Sequence, residues 1–378
     1  MLCYAVTILN SHLPSSAKGD HMRSPQTWLL IIVGSIISIS PISNRQMKIS
    51  VIATVLNEGP AICRLLDSLA VQTRKPDEVV IVDGGSTDGT LAILQTYADK
   101  DRLPLRVLVE PGANISRGRN VAIAAASGDV IASTDAGVWL VPEWLAELAT
   151  PFESENPPQV VAGFFVPDPH SVFEIAMGAT VLPTIDNIDS DRFLPSSRSI
   201  AFKRSAWEAI GGYPEWLDYC EDLIFDFRLR DLYQPFAFAP RAVAYFRPRR
   251  SLPGFFKQYY QYARGDGKAD LWRKRHVIRY LTYLVAGPLL FVMDWLVSPY
   301  WWLAGIGLAA AGMVATPYRR LLPMLYSLGW GERIQAILWV PVIRITGDVA
   351  KMLGYPIGWL WRVRRLPRQP ELRWRTSR

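Results

Sequence analysis

The sequence predicts an α/β fold, a mostly parallel β-sheet flanked by helices, with transmembrane or interfacial helices at the C-terminal end. Three observations predict it. Short β-branched runs alternate with helical segments from residue 47 to residue 135, the pattern of parallel strands joined by right-handed crossovers. Two of those strands end on a lone carboxylate, the edge at which such sheets place their ligands. Beyond residue 270 the apolar runs lengthen and gather many of the 14 Trp, which suits a membrane surface better than a second soluble core.

Composition removes several classes of function. The net charge of +7 invites a nucleic-acid partner, yet Trp361 to Arg378 alone holds seven Arg against Glu371, a net charge of +6. A basic tail of this kind fits the cytoplasmic flank of membrane segments, and no zinc-finger or RNP-type signature accompanies it. No nucleic-acid partner is expected. Cys3, Cys63 and Cys220 are scattered and the four His isolated, so neither a disulfide framework nor a zinc site is expected.

Taken in order, residues 1–46 are an N-terminal extension or weak signal anchor. Trp28 to Ile42 is apolar, but its 15 residues fall short of the roughly 20 that span a bilayer. Ile49 to Val55 is a strand, Asn57-Glu58-Gly59-Pro60 a turn, and Ala61 to Gln72 a helix with Ile62, Leu65, Leu66 and Leu69 on one face. Glu78 to Asp83 is a second strand, running into the Gly-rich loop from Gly84 to Thr90, with a helix over Leu91 to Ala98. Strands near Leu105 to Glu110 and Asp129 to Thr134 enclose a helix over Ser116 to Ala126. Asp83 and Asp135 therefore lie at one edge. The loop lacks the spacing of a P-loop or a Gly-x-Gly-x-x-Gly turn, so hydride transfer and ATP hydrolysis have no motif.

Four motifs, Val51 to Glu58, Val80 to Thr90, Ser116-Arg117-Gly118-Arg119-Asn120 and Thr134-Asp135-Ala136-Gly137, resemble in order and spacing those of family 2 glycosyltransferases. The resemblance covers roughly residues 47 to 265. It implies the GT-A nucleotide-diphospho-sugar transferase fold, an inverting transfer of the hexosyltransferase type and a divalent cofactor, Mg²⁺ or Mn²⁺. Donor-binding residues carried over are Thr54, Asn57, Glu58, Asp83, Gly85, Arg119 and Asp135. An ionised Asp83 is acceptor-only and suits a uracil or ribose donor. Arg119 suits a diphosphate better than Lys would. Asp135 is the metal residue, since hard cations take a carboxylate together with phosphate oxygens and water. Two departures matter: Gly84 stands where many members carry a second adjacent acid, which bears on base selectivity, and Gly137 stands where the metal motif usually carries a second acid, so metal binding rests on Asp135 and the donor phosphates.

Val160 to Phe165 reads as a strand, and the stretch to Ser199, broken by Pro and Asp, as acceptor-side loops. Ser199 to Arg204 is a strand, with Ser205 capping a helix over Ala206 to Ile210 that Gly211-Gly212 ends. Glu221-Asp222, at the head of the next helix, resembles the family's acidic pair, whose second member is the general base. Arg241 to Arg250 is basic. Phe255 to Gly265 is an aromatic amphipathic stretch read as an interfacial helix, and Gln261 and Arg264 resemble the Gln-x-x-Arg-Trp element of processive relatives with Gly265 in place of Trp.

Tyr280 to Leu296 and Tyr300 to Thr316 are hydrophobic segments with Lys and Arg only outside the pair, which predicts a hairpin with both ends cytoplasmic. Ile334 to Trp361, interrupted by Arg344, Asp348, Lys351 and Pro356, is expected to be re-entrant or interfacial. The expected organisation is an extension over 1–46, a catalytic domain over 47–270, a membrane-associated helical region over 271–361 and a basic tail over 362–378. The resemblance implies a nucleotide-diphospho-sugar donor, a lipid-linked or polysaccharide acceptor, and a catalytic domain on the cytoplasmic face of the inner or plasma membrane. The rival is a membrane-tethered scaffold with a degenerate transferase fold, supported by Gly137. A nucleotidyltransferase would need a basic Gly-rich loop after the first strand, and Thr54 to Glu58 is not one.

Overall fold

A computed structural model describes residues 47–100, 102–298 and 300–375; the expectations for residues 1–46 and for the end of the basic tail, residues 376–378, lie outside them. Strands β1 (Ile49–Val55), β2 (Glu78–Asp83), β3 (Leu105–Val109) and β4 (Val130–Ser133) alternate with helices α1 (Ile62–Ala70), α2 (Thr90–Asp99) and α3 (Ile115–Ala125). The four strands are parallel in the order β3-β2-β1-β4. Strand alternation sorts their side chains onto two faces. Val51, Ala53, Val79 and Ile81 pack under α1 with Leu65, Leu66 and Leu69, while Ile52, Val80 and Val82 pack on the other face with Ala122 and Ile123 of α3. Both faces are covered, hence the nearly unbroken apolar runs.

The second half of the sheet was less visible in the sequence. β5 (Val138–Leu140), α4 (Trp144–Ala149), β6 (Val160–Pro167), α5 (Val172–Val181), β7 (Ile200–Lys203), α6 (Arg204–Ile210), α7 (Glu221–Tyr233) and β8 (Ala237–Phe246) follow. They extend the sheet as β4-β7-β6-β8-β5, with β7 antiparallel to both neighbours. Two expectations are corrected here. The loops foreseen before Ser199 include α5, which is buried almost all round and so shows no amphipathic stripe. Ser205 is not a cap: β7 runs straight into α6, and Arg204 N donates to Asp129 O at 3.0 Å.

Helices α8 (Leu252–Ala269), α9 (Arg273–Leu281), α10 (Gly287–Leu296), α11 (Tyr300–Leu325) and α12 (Trp330–Arg365) complete the chain, with a π-helical turn joining α9 to α10. Two further corrections concern them. The aromatic stretch foreseen as interfacial lies in α8, whose Phe255, Ala263, Gly265 and Gly267 are buried. The segment expected to be re-entrant or interfacial is one continuous helix of 36 residues, α12, laid along α8, which removes the re-entrant alternative. Glycines permit that contact. A Cβ on Gly354 would lie 2.2 Å from Tyr260 O, and one on Gly358 1.9 Å from Arg264 O.

The opposite side of α12 exposes Leu338, Ile345, Leu353, Ile357 and Leu360. Among the described residues, one helical run, the 24-residue Arg273–Leu296, is long and apolar enough to cross a membrane. α10 packs against α11, with Leu290 closing on Gly305, and Arg320 of α11 donates to Leu182 O beside α5 at 2.7 Å. Beyond the end of α12 at Arg365 the basic tail folds back. Trp374 donates its indole N–H to Ala269 O at 2.8 Å and stacks on Phe227.

Candidate active site

The parallel register brings three loops to one edge. Val55 pairs with Asp83, and Thr134 N donates to Ile52 O at 3.0 Å, so the ends of β1, β2 and β4 lie side by side. Asp83 is fully buried. Its Oδ1 accepts from the N–H groups of Gly85 and Ser86 at 2.7 and 2.6 Å and folds the loop, with Gly85 at φ +98°, a left-handed conformation open to glycine. Its Oδ2 is buried without a partner among the described residues. Asn57, at φ +55°, holds the same loop by accepting from Thr87 N at 2.9 Å.

Helix α3 starts at Asn114, whose side chain accepts from Arg117 N at 2.9 Å. Gly118 lets that helix press on β1, since a Cβ there would lie 2.7 Å from Thr54 Cγ2. The approach delivers Arg119 to the strand ends, where its side chain is 2% exposed. Arg119 Nη2 donates to Asp135 Oδ1 at 2.8 Å and Nη1 to Glu221 Oε1 at 2.7 Å. Two of the five guanidinium N–H groups of Arg119 are thus taken by carboxylates, and its Nε is buried without a partner among the described residues. Arg119 acts as a buried bridge between the acid after β4 and the acidic pair.

That pair opens α7 from Cys220, which stands at φ +64°. Gly265 of α8 packs on this turn: a Cβ there would be 2.6 Å from Tyr219 O, which explains why no Trp stands at this position. Arg264 ion-pairs with Asp218, as does Lys268 at 2.6 Å. Burial pushes the carboxyls of Asp222 and Glu221 upward, and the charge of Asp222 adds to the rise on Glu221 against the pull of Arg119. Asp226, one turn further along α7, is raised well above the usual range by burial and by Asp222.

Asp135 goes the other way: burial would raise it, but Arg119 and Arg198 hold its carboxyl below the usual range. Arg198, whose Nε lies 3.4 Å from Asp135 Oδ2, was not foreseen. It precedes β7, and because β7 runs antiparallel to β4, with Ile200 opposite Ser133, its start falls beside the end of β4. Glu58 is raised by burial and by the nearby charge of Asp135.

These residues line one cavity of about 950 Å³. Of the expected site residues, Thr54, Glu58, Arg119, Asp135, Glu221, Asp222, Gln261 and Arg264 line it; Asn57, Asp83 and Gly85 stand behind it, shaping the loop. Its far end is walled by α9 and α12, where no site residue was expected.

Among the described residues no group of three or more His, Cys, Asp or Glu could hold a metal unaided. Asp135, 24% exposed, is the one acid at the expected position, and Arg119 and Arg198 each take one of its oxygens. A carboxylate has about four acceptor sites, so room remains for a cation completed by phosphate oxygens and water. The residues fit Mg²⁺ or Mn²⁺ in that single-carboxylate mode only.

Residues 50–199 match the family described as Glycosyl transferase family 2. The chain is similar to a validoxylamine A glucosyltransferase of Streptomyces hygroscopicus subsp. limoneus, 31% identical over 117 residues, 30% of this chain and 26% of that protein. It is also similar to the poly(ribitol-phosphate) β-N-acetylglucosaminyltransferase TarS of Staphylococcus aureus, 36% identical over 105 residues, 27% of this chain and 18% of TarS. The matched part thus spans about a quarter or less of these relatives' length. Among solved structures, the mannosyltransferase PcManGT of Pyrobaculum calidifontis, in complex with GDP-Man and Mn²⁺, superposes with a TM-score of 0.50 at 21% identity, covering 82% of this chain and 88% of that one. The likeness bears out the GT-A fold.

Proposed function

From the premise that this chain carries a family 2 glycosyltransferase domain over residues 50–199, we propose that it is an inverting glycosyltransferase of the hexosyltransferase type. It moves a sugar from a nucleotide-diphospho-sugar to a hydroxyl of a lipid-linked or polysaccharide acceptor at the cytoplasmic face of a membrane. The observation that carries this reading is the buried bridge Asp135–Arg119–Glu221, which ties the donor edge of the sheet to the head of α7 within one cavity.

In this reaction Asp222 takes the proton of the acceptor hydroxyl as its oxygen attacks the anomeric carbon. The bond from that carbon to the phosphate oxygen breaks on the opposite face, and the nucleoside diphosphate leaves with the electron pair. Burial favours a proton on Asp222, which makes it a stronger base than a solvated carboxylate. Glu221 fixes Arg119, and Arg119 keeps Asp135 ionised toward the donor. Mg²⁺ or Mn²⁺, held by Asp135 when the donor binds, would offset charge on the leaving diphosphate. Arg198, less buried than Arg119 and lining the cavity, is the guanidinium best suited to the diphosphate.

For the membrane, the reading is a hairpin of α9–α10 and α11 that crosses and returns, with α12 lying at the interface. Three features support it: the exposed apolar run Arg273–Leu296, the tie from Arg320 back to Leu182 and the apolar outer face of α12. The test is release of nucleoside diphosphate from a panel of nucleotide-sugars with and without Mn²⁺. No turnover of any donor would leave the scaffold reading in its place.

A further inference from the structure

We infer that the cavity continues from Asp222 into a second anion-binding subsite between α9 and α12, centred on Lys351, that takes the phosphate of a lipid-linked saccharide acceptor. The inference rests on the transferase reading above and adds the acceptor's charge and the residue that recognises it.

The cavity wall reaches Arg275, His276, Arg279 and Lys351. The acids nearby are already taken. Asp348 receives Arg279 at 2.7 Å and Arg344 at 3.7 Å, and Asp266 receives His276 at 3.1 Å. Lys351 is left over: it makes no hydrogen bond or ion pair with the described residues, the charges of Asp348 and Asp266 reach it only from a distance, and its ammonium lies 4.9 Å from the ring of Tyr259. Burial lowers its amine to about 8, with Arg279 and Arg344 adding to the fall and Asp348 and Asp266 only partly opposing it. An ammonium held in this way costs stability unless an anion completes it. Arg275 likewise has no carboxylate partner among the described residues and lies over Trp272.

A phosphate monoester or diphosphate supplies the missing charge, and the surroundings favour one attached to a lipid. Immediately beyond His276 the outward residues of α9 are Val277, Ile278 and Leu281, all exposed. An acceptor lying across this helix would keep its chain in the apolar layer and its phosphate at Lys351. Its sugar would extend through the cavity toward Asp222.

The test measures binding to the full-length protein in detergent by competition against labelled farnesyl phosphate, with farnesyl phosphate, farnesol and inorganic phosphate as competitors. Farnesyl phosphate should compete at least about tenfold better than either of the others. Lys351→Gln should weaken it by at least about tenfold and Lys351→Arg should restore most of it. Farnesol competing as well as farnesyl phosphate would overturn the subsite. Inorganic phosphate competing as well would mean a free-anion site and overturn the lipid source. An unchanged affinity in folded Lys351→Gln would overturn the role of that residue. Failure of the transferase reading would appear separately, as wild-type protein that binds no nucleotide-sugar.

Discussion

Arg119 and Glu221, 102 residues apart in the chain, meet at 2.7 Å with side chains 2% and 8% exposed. The same guanidinium reaches Asp135, so a single buried cation joins the acid after β4 to the acidic pair at the head of α7. Coulomb attraction at this burial is large, but so is the cost of desolvating three charges. The arrangement is worth more for geometry than for stability.

Arg119→Met is therefore expected to leave the buried Glu221 uncompensated and Asp135 with Arg198 alone, and to destabilise the protein by about 3–5 kcal/mol. Adding Glu221→Leu should recover part of that loss, because one stranded charge is removed with its partner. Denaturant unfolding of the single and double variants in detergent checks both.

The pH profile carries a second expectation. Burial raises the carboxyls of Asp222 and Glu221, so the base is lost to protonation at a higher pH than an ordinary carboxylate. Activity should fall as pH drops through that raised value, and the acid limb of kcat/KM should lie above the normal carboxylate range. Glu221→Gln removes a like charge beside Asp222 and frees Arg119 to favour its ionised form. Its limb should move to lower pH; a limb that stays or rises contradicts the assignment.

Gly137 offers a gain of function in metal binding. A Cβ there would meet nothing within 4 Å, so Gly137→Asp should fold normally and place a second carboxylate near Asp135. Mn²⁺ affinity without donor, read by calorimetry, should increase on the order of tenfold.

The seam between α8 and α12 is expected to be intolerant of size. Gly358→Ala puts a methyl 1.9 Å from a backbone oxygen and should cost about 1–3 kcal/mol. Because α8 carries Gly265 against Tyr219, activity should fall with stability, measured as thermal unfolding and donor turnover together.

Much of this site was legible in the sequence, for physical reasons. β1 and β2 are buried on both faces and read as plain apolar runs, and Asp83, Asp135 and the Glu221-Asp222 pair stand at element ends that the alternating pattern itself marks. Arg198 was not legible, because its place beside Asp135 depends on β7 entering the sheet antiparallel, which no local pattern announces. Helix α5 hid for want of an exposed face. The cation end of the cavity hid because α9 and α12 look, alone, like membrane segments, and the glycines that bring α12 onto α8 show their use only beside the partner helix.

The central claim is that Asp222 takes the acceptor's proton, and single-turnover sugar transfer by Asp222→Asn tests it most directly. With the donor found by screening and lipid extract as acceptor, transfer should fall by roughly 100-fold or more, while the nucleotide-sugar still binds with wild-type affinity. Transfer at the wild-type rate by a folded Asp222→Asn would contradict it.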